Sequence, residues 1–520
     1  MQTRPFPSLR MANPETSLAW LSVAAVLLSF FLALGRAPLF DVDEGAFSQA
    51  TLEMFQRGDY LSTYLNGEPR YDKPILVYWL QAASVLAFGP TEFAFRLPSA
   101  VCAALWCALV FLFTRAACGT TAAWLAAACT ATSVGVFVIG RAATADALLN
   151  LLIAASLLAA WLHLKSGERK WLYAAFAAAA LGVMAKGPVA LLIPFCVTLA
   201  FCLIRRDFRT WLCAAFDPRA LLVFALIAAP WYLIIFYKEG WPFIEGFFLK
   251  HNVERFGSPL QGHGGSLVYY LPVVLLASMP HTGLFIKTFM KIREMWRDDL
   301  QCYLLLWFLF VFAFFSLSGT KLPHYILYGM TGMFILMAVQ AASLQSRLLL
   351  IAPTVLFFGF LLAFPALTEM LAAKLGDAYY REALGDAGSH FPAAYYIFAA
   401  ASIAFCVWLM AERRIAVPLK IVGCGVLSVA ALAAFVVPAL GAMLQEPVRQ
   451  AALLARGRGY PVIMWGINAP SFSVYYGRPT PSRTPRPGDI VITKAKRLAE
   501  LPGFDTLYAR QGVVLVRIKE

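Results

Sequence analysis

Three carboxylates, Asp41, Asp43 and Glu44, stand just beyond the first apolar run, where a helix is predicted from about Gly45 to Arg57. Asp43 and Glu44 then flank a helix N-terminus, whose dipole favours anions. The same groups suit acid/base or metal-binding chemistry at a membrane boundary. Both readings stay open on residue type alone. Lys73 lies between Asp72 and Pro74, where the chain re-enters apolar sequence. Its ammonium either snorkels to the interface or holds an anionic head group. Lys186 repeats that pattern at an equivalent depth, and two lysines on one face favour phosphate. Asp146, in GRAATAD, opens an apolar run, and a carboxylate there must pair, Arg141 being the nearest cation, or face a cavity. The loop KHNVERFGSPLQGHGG brings His251, Glu254, Arg255 and His263, and SGTKLPHYILY brings Lys321, His324 and Tyr325. Lys321 and Tyr325 are either interfacial anchors or, near Lys73, part of a pocket for phosphate oxygens. Asp72 with His251 makes a sparse divalent-metal site, two ligands being few for a metal.

The elements that must hold these groups are membrane helices. Apolar runs occur at 19–38, 96–114, 120–139, 145–164, 171–185, 187–204, 220–237, 268–288, 301–317, 323–342, 347–367, 391–411 and 418–441. A span takes about 20 residues. The run 74–89 is arbitrated by the bias of Lys and Arg towards cytoplasmic loops. If it lies along the interface, the basic loops at Arg4 and Arg10, Arg115, Lys165–Lys170, Arg205–Arg209, Lys287–Arg297, Arg347 and Arg413–Lys420 share one side. The expectation is therefore about 13 transmembrane helices, the first an uncleaved anchor, with the N-terminus cytoplasmic and the C-terminus outside. In that layout the loop 41–73, Asp146, Lys186, the loop 238–265 and the Lys321–Tyr325 turn all fall on the outer face.

The tail changes character after residue 445. VIMWGI, DIVITK and GVVLVRI alternate with Pro/Gly turns, as in a small α/β domain. From Glu446 to Glu520 there are 12 Lys/Arg against 5 Asp/Glu. That excess is either a solvated basic face or a surface for anionic lipid. The division expected is 1–445 as the transmembrane domain, with interfacial helices to about 89, and 446–520 as an outer C-terminal domain.

Composition closes off other classes. The 520 residues are 60% apolar and 14% charged, against about 45–50% and about 25% in soluble domains. The mean hydropathy of +0.69 agrees. Disorder, collagen-like repeats and a disulfide scaffold are excluded. The net charge of +14 is assigned to cytoplasmic loops and to head groups or phosphates rather than to nucleic acid. The ten cysteines show no CxxC or Cys/His metal spacing and read as small buried hydrophobes. No Walker loop, GxGxxG, GxSxG or HExxH is present. A transporter, the alternative that composition allows, predicts inverted repeats and polar groups at mid-membrane; no such repeat is visible, and the ionisable residues gather at one face.

The string DE-x(5)-A-x(3)-M-x(4)-D-x(6)-NG-x(3)-Y-x-KP-x(3)-YWL, carried from Asp43 to Leu80, resembles the first outer loop of membrane-embedded C-type glycosyltransferases. More narrowly it is similar to the branch of the lipid A 4-amino-4-deoxy-L-arabinose transferases and related protein mannosyltransferases. RLPSA (Arg96–Ala100), Asp146 after GRAATA, KGPVA (Lys186–Ala190), PWY (Pro230–Tyr232), KHNVERF (Lys250–Phe256) and FSLSGTKLPHYILY follow in the order of that family. The tail's GINAPSFSVYYGRP resembles the arabinose-transferase type.

The resemblance implies inverting transfer of a sugar from a polyprenyl-phosphate donor to a lipid A-type glycolipid or a protein, on the outer face of a bacterial inner membrane. Asp43, Asp146 and Glu44 are then the catalytic carboxylates. Lys73, Arg255, Tyr325 and Lys321 bind the donor phosphate, and Tyr71, Lys186 and His251 contact substrate. No cofactor is required, a divalent metal at Asp72 and His251 is possible, and membrane lipids are the surroundings. Many relatives carry Glu where this chain has Asp72, whose shorter arm reduces its reach towards a metal or a sugar amine.

Overall fold

The computed structural model describes residues 14–254, 264–344, 346–376 and 378–520. The first part of the chain forms α1 (Pro14–Phe31), α2 (Asp43–Arg57), α3 (Leu76–Phe88), α4 (Glu92–Cys118), α5 (Thr120–Thr132), α6 (Val134–Arg141), α7 (Asp146–Ser166), α8 (Arg169–Lys186) and α9 (Val189–Ile204). Among the described residues nine helices are long and apolar enough to cross a membrane: α1, α4, α7, Pro218–Glu239, Asp299–Leu317, Pro323–Ser343, Arg347–Ala372, Ala393–Ala411 and Val417–Leu444. The pair α5 and α6, bent by 65°, makes a tenth if counted as one span.

The protein is a polytopic α-helical bundle, as expected; by length and composition nine or ten helices among the described residues qualify as spans, against the 13 expected. Three runs account for the difference. α8, of 18 residues, carries Arg169 and Lys170 at its start and Lys186 at its end, which shortens its uncharged stretch. At 16 residues α9 is short. The run at 268–288 divides into Tyr270–Ala277 and Thr282–Phe289 about Pro280, which has no N–H to continue a helix. α3, the arbitrated run, has 13 residues and reaches only about 20 Å, short of the hydrocarbon core.

The C-terminal sheet domain has four strands. With the Tyr64–Leu65 and Glu68–Pro69 pair as β1 and β2, these are β3 (Val462–Met464), β4 (Ile490–Lys494), β5 (Phe504–Arg510) and β6 (Val513–Ile518), in the order β3-β4-β6-β5. β3 and β4 are parallel and the other pairs antiparallel. Three of the strands are the apolar stretches singled out above. β5 is exposed along much of its length, so FDTLYAR lacks the apolar run that marks the rest. Helices Glu446–Gly457 and Pro470–Tyr476 share a core with this sheet, and Pro470–Tyr476 also packs on α2.

Candidate active site

The site is built on the loop and helices from residue 39 to residue 75. α2 begins at Asp43 itself, so Asp43 and Glu44 occupy its first turn. The two carboxylates then part company. Asp43 is exposed and makes no ion pair within 4.0 Å among the described residues. Glu44 is buried at 4% exposure, where Arg96 of α4 grips it through Nε to Oε1 at 2.8 Å and Nη2 to Oε2 at 2.7 Å. The backbone N–H groups of Phe40 and Ala143, each at 2.8 Å, complete its shell. Arg96 also donates to the carbonyls of Leu34, Ala37 and Pro38. One buried ion pair thus ties the end of the first helical segment, the start of α2, α4 and the turn before α7 together, which fixes Asp43 against Asp146. Glu44 does not line the cavity.

A second buried carboxylate, Glu53, shapes the next element. Its oxygens accept from the N–H groups of Asn66 at 2.6 Å and Gly67 at 3.0 Å, the two left-handed residues of the β1–β2 turn (φ 54° and 93°). An Asn-Gly turn of this kind is the favoured two-residue hairpin. Glu53 thereby stitches the hairpin to α2, and the hairpin delivers Arg70, Asp72 and Lys73 to the cavity wall.

That cavity has a volume of about 750 Å³. Asp43, Arg70, Asp72 and Lys73 line it from the first loop, and Asp146 and Lys186 from the ends of α7 and α8. His324 and Tyr325 enter from a turn at the head of the following helix, and Asn468 enters from the C-terminal domain. Asp146 does not pair with Arg141, in contrast to one of the expected accounts. Residues 142–145 break the helix between them, and Arg141 turns away to the carbonyls of Ser29 and Leu32. Asp146 Oδ1 instead accepts from Lys186 Nζ at 2.5 Å and the Tyr328 hydroxyl at 2.9 Å, with His324 Nε2 at 3.5 Å. Lys186 is placed there because α8 ends on it at Gly187, whose φ of +93° suits glycine. Lys186 Nζ also lies 5.5 Å and 5.6 Å from the ring centroids of Tyr325 and Tyr328.

The other expected site residues distribute as follows. Asp72 sits 3.3 Å from Arg70 Nη2. Lys73 Nζ donates to the Asp72 carbonyl at 2.9 Å. Tyr71 turns from the cavity to donate to Glu239 at 3.0 Å. Burial, and then that bond to a carboxylate, push its hydroxyl up to about 12. Lys321 is buried, donating to the Ser318 carbonyl at 2.5 Å, and does not line the cavity. Arg255 and the side chain of His251 lie outside the described residues. No group of three or more His, Cys, Asp or Glu that could hold a metal occurs among the described residues.

Arg70, Tyr328 and Asn468 were missed in the sequence. Tyr328 had a signal: it follows Tyr325 by three residues, so both share a helical face. Arg70 looked like one more basic loop residue, and Asn468 gave no sign of reaching this cavity.

The C-terminal domain is keyed into the same loop. Ser471 donates to Asp41 through its N–H at 2.8 Å and through its hydroxyl. Tyr475 OH accepts from Leu39 N–H at 2.7 Å and donates to Glu92 at 3.2 Å. Gly45 is required at this contact, since a Cβ there would stand 2.4 Å from Ser471 N. Burial lifts Asp41 to about 7 against the pull of the two Ser471 bonds. A carboxyl whose pKa rises on folding favours the folded state at low pH and loses that advantage as pH climbs from about 4 to about 7. Thermal midpoints measured from pH 5 to pH 8 are expected to fall across this window, and Asp41→Asn is expected to flatten that part of the slope.

A family model for dolichyl-phosphate-mannose-protein mannosyltransferase matches residues 72–234. The undecaprenyl phosphate-α-4-amino-4-deoxy-L-arabinose arabinosyl transferases of Serratia proteamaculans and Yersinia enterocolitica are each 31% identical, over 62% and 66% of this chain. The match spans 60% and 64% of those relatives' own length. The crystal structure of ArnT from Cupriavidus metallidurans bound to undecaprenyl phosphate superimposes with a TM-score of 0.78 at 20% identity, covering 96% of this chain and 98% of that one. Its apo form gives 0.79. The chain is thus similar in sequence to these transferases over part of its length, and it shares the fold of ArnT over nearly all of it. The likeness to ArnT extends through the C-terminal sheet domain, since nearly the whole of both chains is matched.

Proposed function

We propose that the protein transfers a sugar from a polyprenyl-phosphate donor to a lipid A-type glycolipid. The observation that carries this reading is one cavity lined by a carboxylate without an ion pair among the described residues, Asp43, together with the cations Arg70, Lys73 and Lys186. The acceptor oxygen attacks the anomeric carbon from the side opposite the phosphate. The bond from carbon to phosphate oxygen breaks, and polyprenyl phosphate departs with the electron pair. Negative charge grows on that phosphate in the transition state, where prepositioned cations stabilise it. Asp43 receives the proton when the acceptor is a hydroxyl. When the acceptor is itself a phosphate no base is needed, and Asp43 orients the sugar. Asp146, paired with Lys186 and Tyr328, holds that lysine in place.

The distribution of Lys and Arg supports a cavity open to the outer, periplasmic face of the bacterial inner membrane. The division at residue 445 into a transmembrane part and an outer domain follows from the same reading. A protein acceptor is the second reading, favoured by the mannosyltransferase family match over residues 72–234.

The test is transfer by the purified full-length protein in detergent, from radiolabelled undecaprenyl-phosphate sugars to lipid A. Lys73→Met is expected to weaken donor binding by about 10–100-fold, the worth of one hydrogen bond to a charged group. Titration with donor checks this. Absence of transfer from every donor to lipid A, with transfer to a peptide acceptor, would replace the first reading by the second.

A further inference from the structure

Asn468 is the one polar side chain that the C-terminal domain contributes to the cavity lining. It is exposed, and its carboxamide makes no hydrogen bond with the described residues. The domain that carries it is docked on the loop that bears the reacting carboxylate. Three residues on, Ser471 is clamped to Asp41, and Asp41 stands two residues before Asp43. Arg70 and Lys73 follow the hairpin of the same loop, and Lys186 ends α8. A carboxamide also differs in kind from the rest of the lining, since it offers two donors and an acceptor without charge. A phosphate, which only accepts, has no use for the acceptor half. Neighbouring sugar hydroxyls, or a hydroxyl beside an amine, use both halves.

We propose that Asn468 binds the sugar of the donor, so that the C-terminal domain supplies part of the recognition surface for the transferred group. This rests on the transferase reading above. The domain is then a working wall of the site, held in register by the Asp41–Ser471 clamp, and not only a cap on the bundle.

The experiment compares two ligands on the full-length protein in detergent: undecaprenyl phosphate, and undecaprenyl phosphate-α-4-amino-4-deoxy-L-arabinose. Asn468→Ala is expected to weaken binding of the sugar-bearing ligand by about 3–10-fold, the worth of one neutral hydrogen bond. Binding of bare undecaprenyl phosphate should stay within about twofold, which also reports that the variant is folded. Ser471→Ala, which loosens the clamp without removing the amide, should reproduce part of the same selective loss. Equal losses on both ligands, or none on either, would overturn the proposal while leaving the transferase reading intact. A wild-type protein that binds the bare lipid but gains nothing from the sugar would overturn both.

Discussion

Asp43→Asn is expected to lower the turnover number for sugar transfer by about 10²–10⁴-fold, the usual contribution of a positioned general base. The thermal midpoint should hardly move. Asp43 is exposed to the cavity and makes no ion pair among the described residues, so the substitution breaks no direct salt bridge there. The amide keeps the shape and can still hydrogen-bond, but cannot accept a proton at neutral pH. The size of the effect also reads the acceptor. A hydroxyl acceptor must lose its proton and shows the full loss, whereas a phosphate acceptor is already ionised and shows a much smaller one. Initial rates at saturating donor, compared between a hydroxyl-bearing peptide and lipid A, separate the two.

Arg96→Met is expected to cost about 3–5 kcal/mol of stability, because it strands Glu44 as an uncompensated charge in the interior. Two backbone N–H groups would remain on Glu44, too few to replace the guanidinium. The carbonyls of Leu34, Ala37 and Pro38 would lose their donor as well. Thermal unfolding in detergent checks the magnitude. The double variant Glu44→Gln with Arg96→Met should unfold later than Arg96→Met alone, since a neutral amide keeps an acceptor for those N–H groups without the buried charge. A double variant as unstable as the single one would show that Arg96 works mainly through the carbonyls.

These two residues show where sequence reading succeeds and where it stops. Asp43, Lys73, Asp146, Lys186 and Tyr325 were legible because a charge or ring beside an apolar run has few inexpensive places to go. Their convergence on one cavity follows from helix ends lying on a common face. Glu44, by contrast, sits next to Asp43 and shares its chemistry. Only a turn of helix, which swings adjacent side chains about 100° apart, separates an open carboxylate from a buried one. Arg141 was the nearest cation to Asp146 in sequence, but a local break in the helix sends the two in different directions. Spans fared similarly. Apolar runs predicted helices well, whereas the break at Pro280 and the shortness of α9 depend on how each helix ends. The tail's strands were readable where buried and hidden where exposed, as in β5.

Asp41 and Ser471 are 430 residues apart in sequence, and that separation has a consequence for biogenesis. At about 5–20 residues per second of synthesis, Asp41 waits roughly 20–90 s for its partner to be made. Until then the first turn of α2, with Gly45 bare at the surface, has no lid, and the site lacks one wall. The cavity is therefore among the last parts of the molecule to be completed, its final wall coming from residues made after the last candidate span. A chain cut before residue 446 lacks Ser471 and Asn468, and so lacks that wall of the cavity.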